Sequence, residues 1–191
     1  MKRYQTEMEK NKKLRLLVTS NCQNRCPLCC NKQFNVNGIP VVDRWDYDEI
    51  MITGGEPMLY PDRLERLCKS IREVTEQMGL RPKIYLYTSR CCWSVIDSMI
   101  QYYYVDGIVV APHSSVDVMY FRQTNNNLLK YRYGKYLECS LRLKVFPEVM
   151  DALPENLKCW KVEQAEWIEN CPVPDGEDFR RVSELWDKDK W

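Results

Sequence analysis

Short apolar runs alternate with longer stretches whose apolar residues recur at helical spacing, and this alternation constrains the fold of the chain more than any other feature. Six runs have the length and composition of β-strands: 14–19, 49–53, 83–88, 106–111, 141–146 and 158–163. The stretches between them predict helices at 62–78, 94–103 and 115–131, with a weaker candidate at 147–157, which Pro154 interrupts. Such alternation is typical of a parallel sheet with right-handed crossovers, so we predict an α/β fold.

The length of the chain limits how far such a sheet can close. A closed eight-stranded barrel takes about 250 residues, whereas this chain has 191. We therefore expect a partial (β/α)6 TIM-like barrel with mostly parallel strands. The expected organisation is an N-terminal arm at 1–13, one barrel domain at 14–166 and a C-terminal tail at 167–191, which is packed on the barrel or loosely ordered.

The charge balance excludes some classes of partner. Lys and Arg number 28 against 27 Asp and Glu, which gives a net charge of +1 and no global field to attract nucleic acid or an anionic membrane. The longest apolar runs are the size of strands, and the N-terminus lacks the apolar stretch of a signal peptide. We expect a cytoplasmic protein that binds neither nucleic acid nor membrane.

Three of the ten cysteines are clustered in the loop after the first strand. Cys22, Cys26 and Cys29 have the spacing C-x3-C-x2-C, and the loops after strands are where ligand sites of parallel α/β folds gather. Three thiolates in one loop can hold an iron–sulfur cluster and leave one iron open. A zinc site with Cys30 or a distant residue as the fourth ligand is an alternative, as are purely structural thiols.

A second motif, Thr53-Gly54-Gly55-Glu56-Pro57, follows the second strand. Two glycines at the end of a strand permit positive φ and let the backbone come close to a ligand. The backbone groups freed there, together with the glutamate carboxylate, suit a cationic amine. A simple turn is the alternative interpretation.

Together the two motifs resemble those of the radical S-adenosylmethionine (SAM) superfamily. The resemblance implies that the three clustered cysteines hold a 4Fe–4S cluster, and that Gly54, Gly55 and Glu56 face the amine of SAM. It implies reductive cleavage of SAM to a 5′-deoxyadenosyl radical, which abstracts hydrogen from an unidentified substrate. One residue departs from the family pattern: Leu28 stands before the third cysteine, where the family commonly has an aromatic residue near the adenine.

Other cofactor contacts are expected at the ends of further strands. Thr53 precedes the glycines. Ser114 and Ser115 follow the fourth strand, where the resemblance implies that one of them contacts the ribose, although serines after strands often serve local turns. Arg142 and Lys144 lie on one face of the fifth strand and suit the SAM carboxylate, unless that face is simply solvent-exposed. His113, the only histidine, is a weaker site candidate.

The resemblance also implies partners. These are SAM, an electron donor such as flavodoxin or ferredoxin, and a substrate that is either a peptide or protein or a small molecule. Glycyl-radical-enzyme activases and carboxy-deazaguanine synthases are two classes of comparable size. The competing hypothesis is a non-enzymatic module that binds zinc or an iron–sulfur cluster on a barrel scaffold. No residue is assigned to substrate catalysis.

Overall fold

Seven strands form one sheet in which every neighbouring pair is parallel. The computed structural model describes residues 12–33, 35–131, 135–169 and 172–186. The strands are β1 (Lys13–Leu17), β2 (Glu49–Thr53), β3 (Lys83–Thr88), β4 (Gly107–Val110), β5 (Ser140–Val145), β6 (Lys161–Gln164) and β7 (Glu177–Arg181). Their order is β6-β5-β4-β3-β2-β1-β7. The sheet is not closed, and the α/β architecture is compatible with a partial TIM-like barrel, as expected.

The helices lie in the crossovers between strands. They are α1 (Pro61–Gln77), α2 (Trp93–Gln101), α3 (Ser115–Tyr131) and α4 (Lys135–Glu138). Proline suits the first turn of α1, where a backbone N–H has no partner within the helix, and Gly79 follows the helix with a φ of 72°. The weak candidate at 147–157 is a short 3-10 helix, Pro147–Ala152. None of the helices that the structure describes is both long and apolar enough to cross a membrane.

The alternation of side chains divides the sheet into two faces. Successive residues of a strand point to opposite faces, and one face is packed against the helices. Fully buried residues of that face include Leu16, Ile52 and Leu86, which belong to one core with Leu64 of α1 and Phe121 of α3. We call the opposite face the inner face; it carries the residues that alternate with these, among them polar and aromatic side chains.

The seventh strand was not predicted from the sequence. β7 lies within the segment assigned to the C-terminal tail, and it pairs with β1 from Lys13↔Glu177 to Leu17↔Arg181. Its sequence, Glu-Asp-Phe-Arg-Arg, has a single apolar residue, so apolar patterning could not reveal it. Charged residues are common in edge strands, where they discourage pairing with other chains. Most of the predicted N-terminal arm, residues 1–11, lies outside the described residues.

Candidate functional site

A pocket of about 320 Å³ lies at the C-terminal ends of the strands. The sulfur-bearing residues Cys22, Cys26 and Cys29 line it together with Gly54 and Gly55. The first three come from the segment 18–29 after β1, which we call the cysteine loop. The other two come from the turn after β2. The structure therefore brings the two sequence motifs to one cavity, at the edge of the sheet where they were expected.

The two motifs are in direct backbone contact. The N–H of Gly55 donates to the carbonyl of Thr19 at 2.7 Å, and the N–H of Glu56 donates to the carbonyl of Asn21 at 2.8 Å. A Cβ on Gly54, whose φ is 151°, would lie 2.5 Å from the Thr19 carbonyl oxygen. A Cβ on Gly55 would lie 2.0 Å from that of Asn21. The glycines are thus required by the packing of the two loops, in addition to any close approach to a ligand.

The side chain of Glu56 is buried away from the pocket. Its carboxylate accepts hydrogen bonds from the hydroxyl of Thr88 at 2.5 Å, from the hydroxyl and N–H of Ser89 at 2.7 and 2.8 Å, and from the N–H of Met58 at 2.9 Å. Burial raises the pKa of this carboxyl group, while these hydrogen bonds oppose the shift. The structure does not bring the Glu56 carboxylate to the pocket, and Thr53 lines the pocket instead.

Two amide side chains hold the cysteine loop against the rest of the barrel. The Asn24 amide donates to the Ser89 hydroxyl at 2.9 Å and to the Asp117 carboxylate at 2.7 Å. The Gln23 amide donates to the same two groups, each at 3.3 Å. Asp117 is fully buried in the first turn of α3, and its carboxylate also accepts from the N–H of His113 at 3.1 Å. This carboxylate was not predicted as a site residue, because an acidic residue in the first turn of a helix is common for local reasons.

The cysteine thiols influence one another across the pocket. Burial raises the pKa of Cys26 to about 11, and the neighbouring Cys22 and Cys29 sulfurs contribute to this rise. Burial also raises the pKa of Cys22. The Cys22 and Cys26 thiols are therefore protonated near neutral pH, and a metal would have to displace these protons.

The donor set suits a cluster in its chemistry. Among the described residues, no three His, Cys, Asp or Glu side chains are arranged to hold one metal ion together. In an iron–sulfur cluster, however, the protein thiolates are distributed over several irons, so one shared ion is not needed. Three cysteines of one loop that face a common cavity fit such a group.

An aromatic cluster forms a wall of the pocket. The rings of Phe146 and Trp167 stack with centroids 4.2 Å apart, and the His113 ring lies 4.8 Å from the first and 5.0 Å from the second. The Trp167 indole donates to the Glu148 carboxylate at 2.7 Å. Burial lowers the pKa of His113. Phe146 and Trp167 were not predicted as site residues, because they adjoin only in the folded chain.

The remaining predicted contacts divide into two groups. Leu28 and Lys144 line the pocket. Ser114 does not line it; its hydroxyl accepts a hydrogen bond from the N–H of Asp117 at 3.2 Å, which is the local role considered as the alternative. Arg142 does not line it either, and its guanidinium lies 5.2 Å from the centroid of the Tyr85 ring.

No model of a protein family matches the chain, and no curated protein shows significant similarity to it. The chemistry of the site therefore rests on the residues that line it.

Proposed function

We propose that this protein is a radical SAM enzyme that holds a 4Fe–4S cluster on Cys22, Cys26 and Cys29 and binds SAM beside it. The observation that carries the proposal is that these three cysteines and the Gly54 and Gly55 turn line one pocket at the ends of β1 and β2. When bound, the cluster would supply one electron for the reductive cleavage of SAM, which initiates hydrogen abstraction from a substrate.

The chain offers groups that match the parts of SAM. The Lys144 ammonium, which lines the pocket, suits the carboxylate, because a charge-assisted hydrogen bond is stronger than a neutral one. The backbone of the Gly54 and Gly55 turn suits the amine. Leu28 and Val109 add apolar surface for the nucleoside. The stacked Phe146 and Trp167 rings exclude water from one side of the pocket.

The reaction requires a one-electron donor, and we assign this role to a flavodoxin or ferredoxin. We also place the protein in the cytoplasm, since a reducing compartment keeps the three thiols available for iron. Neither nucleic acid nor membrane is part of the proposed function.

The test is anaerobic reconstitution of the full chain with iron and sulfide, followed by a SAM cleavage assay with reductant. We expect about four irons per chain, a brown protein and release of 5′-deoxyadenosine. Cys26→Ala should lose both the colour and the cleavage. Cys92→Ala is the matched control, because Cys92 is a half-buried cysteine that does not line the pocket, and it should behave as the wild type.

The competing hypothesis of a non-enzymatic metal module makes different predictions. A zinc module would give a colourless protein with one zinc per chain, and an inert cluster would give a brown protein that does not cleave SAM. Full cleavage by Cys26→Ala would refute the assignment of the ligands.

A further inference from the structure

Two cations on the inner face of β5 form no salt bridge with any residue that the structure describes. Arg142 and Lys144 are both half-buried. In the part of the chain that the structure describes, neither forms a salt bridge within 4 Å or a hydrogen bond. A partly buried charge without a counter-charge is costly, because it gives up hydration without compensation. The pair is therefore suited to bind anionic groups.

The carboxylates on the strands of this face are already occupied by other cations. The pairs are Glu49 with Lys13 at 3.7 Å, Glu163 with Lys161 at 3.1 Å, and Glu177 with Arg15 at 2.7 Å. The pKa of Glu163 is lowered most by its hydrogen bond with Lys161, and Lys144 and Arg142 contribute less. Among the strand residues described, Arg142 and Lys144 are therefore the two cations of β5 that form no ion pair within 4 Å.

The two cations lie at different depths in the barrel. In the register of the sheet, Tyr87 is paired with Val109 and Val109 with Arg142, so these three residues form one row. Tyr87 and Val109 line the pocket, and Arg142 is therefore the next residue of this row beyond the pocket lining. Lys144 lies two residues nearer the C-terminal end of β5 and lines the pocket itself. Because Arg142 and Lys144 are separated along the strand in this way, they suit two separate anionic groups.

The ring of Tyr85 lies beside the guanidinium of Arg142, the deeper of the two cations. The Arg142 guanidinium lies over Tyr85, and the ring of Tyr85 lies against Gly107, where a Cβ would approach the ring to 2.7 Å. Glycine at this position thus lets the ring lie close to the sheet. A guanidinium beside an aromatic face is suited to grip a planar oxyanion through two parallel hydrogen bonds.

We propose that Arg142 binds an oxyanion of the substrate, a carboxylate or a phosphate, beside the Tyr85 ring, while Lys144 serves the carboxylate of SAM. The inference rests on the proposed function for the role of Lys144. The substrate would then be an anionic molecule whose oxyanion lies deeper in the barrel than SAM, beside the inner face of β5.

The test is calorimetric titration of the full-length protein with three probes of similar size: benzoate, phenyl phosphate and the neutral benzamide. We expect at least one of the two anions to bind and benzamide not to bind. The tighter of the two anions identifies the oxyanion as a carboxylate or a phosphate. In Arg142→Gln the affinity for that anion should fall at least about tenfold, which corresponds to about 1.4 kcal/mol. Arg66→Gln, which alters an exposed arginine of α1, should leave it unchanged.

Two further measurements test the roles of Arg142 and Lys144. Arg142→Lys retains the positive charge but not the planar guanidinium that can donate two parallel hydrogen bonds, so it should bind the anion more weakly than the wild type does. This comparison remains possible even if Arg142→Gln fails to fold. After reconstitution, Lys144→Gln should weaken SAM binding more than Arg142→Gln does. Equal affinity for benzoate and benzamide, binding of neither anion, or unchanged anion binding in Arg142→Gln would each overturn the inference. Because the titrations require no cluster, failed SAM cleavage with intact anion binding would count against the proposed function alone.

Discussion

The carboxylate of Glu56 accepts hydrogen bonds from both the hydroxyl and the backbone N–H of Ser89, at 2.7 and 2.8 Å. The same hydroxyl oxygen accepts a hydrogen bond from the amide of Asn24 at 2.9 Å. Ser89 thus connects the turn after β2 with the cysteine loop after β1, and it does so from the end of β3. The glutamate of the second motif has a structural role: it helps to position the loop that carries the thiols.

Removal of the negative charge from Glu56 should destabilise the protein. In Glu56→Gln the amide nitrogen would replace one of the two carboxylate oxygens. The N–H and O–H groups that now donate to that oxygen would lose their acceptor and stay buried without a hydrogen bond. We expect a loss of about 2–4 kcal/mol in the free energy of unfolding, measured by urea denaturation. Glu155→Gln, at an exposed glutamate, is the control and should cost less than about 0.5 kcal/mol. Equal stability of the two variants would contradict the structural role.

Addition of one methyl group at Gly55 should separate the two loops. The new Cβ would lie 2.0 Å from the Asn21 carbonyl oxygen, so the backbone must shift. We expect Gly55→Ala to lose more than about 3 kcal/mol of stability and to retain little iron after reconstitution. Gly79→Ala is the matched control: its φ is 72° but nothing lies within 4 Å of the added Cβ. It should cost only about 1–2 kcal/mol and leave the iron content intact.

A negative charge at Asn24 should release the cysteine loop. The Asn24 amide donates to the Asp117 carboxylate at 2.7 Å, so Asn24→Asp would place two carboxylates in contact in a buried site. We expect Asn24→Asp to retain less iron at neutral pH than Asn24→Ala, because repulsion adds to the lost hydrogen bonds. Asn126→Asp on the exposed surface of α3 should retain the wild-type amount. The iron content of each variant is measured after gel filtration. A higher iron content in Asn24→Asp than in Asn24→Ala would be inconsistent with the contact between Asn24 and Asp117.

The protonation of His113 should weaken the fold in acid. Burial lowers the pKa of this imidazole below its ordinary 6.5, so the unfolded chain binds the proton first as the pH falls. The free energy of unfolding should therefore decrease below about pH 6.5 and continue to decrease through the pKa of the folded state. Because the sequence has one histidine, its single imidazole NMR signal gives the pKa directly. A pKa at or above 6.5 would contradict the burial, and His113→Phe should reduce the loss of stability between pH 7 and pH 5.

The parallel strands and the place of the two motifs could be predicted from the sequence. Periodicity is a local property, so β2 and β3 were predicted at their observed bounds, and the first helix was predicted within one residue at each end. The two motifs meet because the C-terminal ends of parallel strands share one edge of the sheet. The binding of a cluster and of SAM in the pocket stays a prediction.

The side-chain directions within the site could not be predicted in the same way. Glu56 and Gly55 are adjacent in the second motif, yet only the glycine lines the pocket, because the glutamate side chain turns toward the end of β3. Arg142 and Lys144 are equivalent in the alternation of β5, but they lie at different depths relative to the pocket. Such differences depend on the neighbouring strands, which a local pattern does not contain.

The amino-acid sequence by itself indicated β1 to β6, α1 to α3 and the loop that carries three thiols, since these follow from spacing along a few neighbouring residues. The tertiary structure alone decided that β7 pairs with β1, where Arg15 meets Glu177 across 162 positions of the chain. It also decided that Trp167 stacks on Phe146 at the pocket wall. The physical reason is that both contacts depend on the register between distant segments, which is selected by the packing of the whole sheet rather than by local preference.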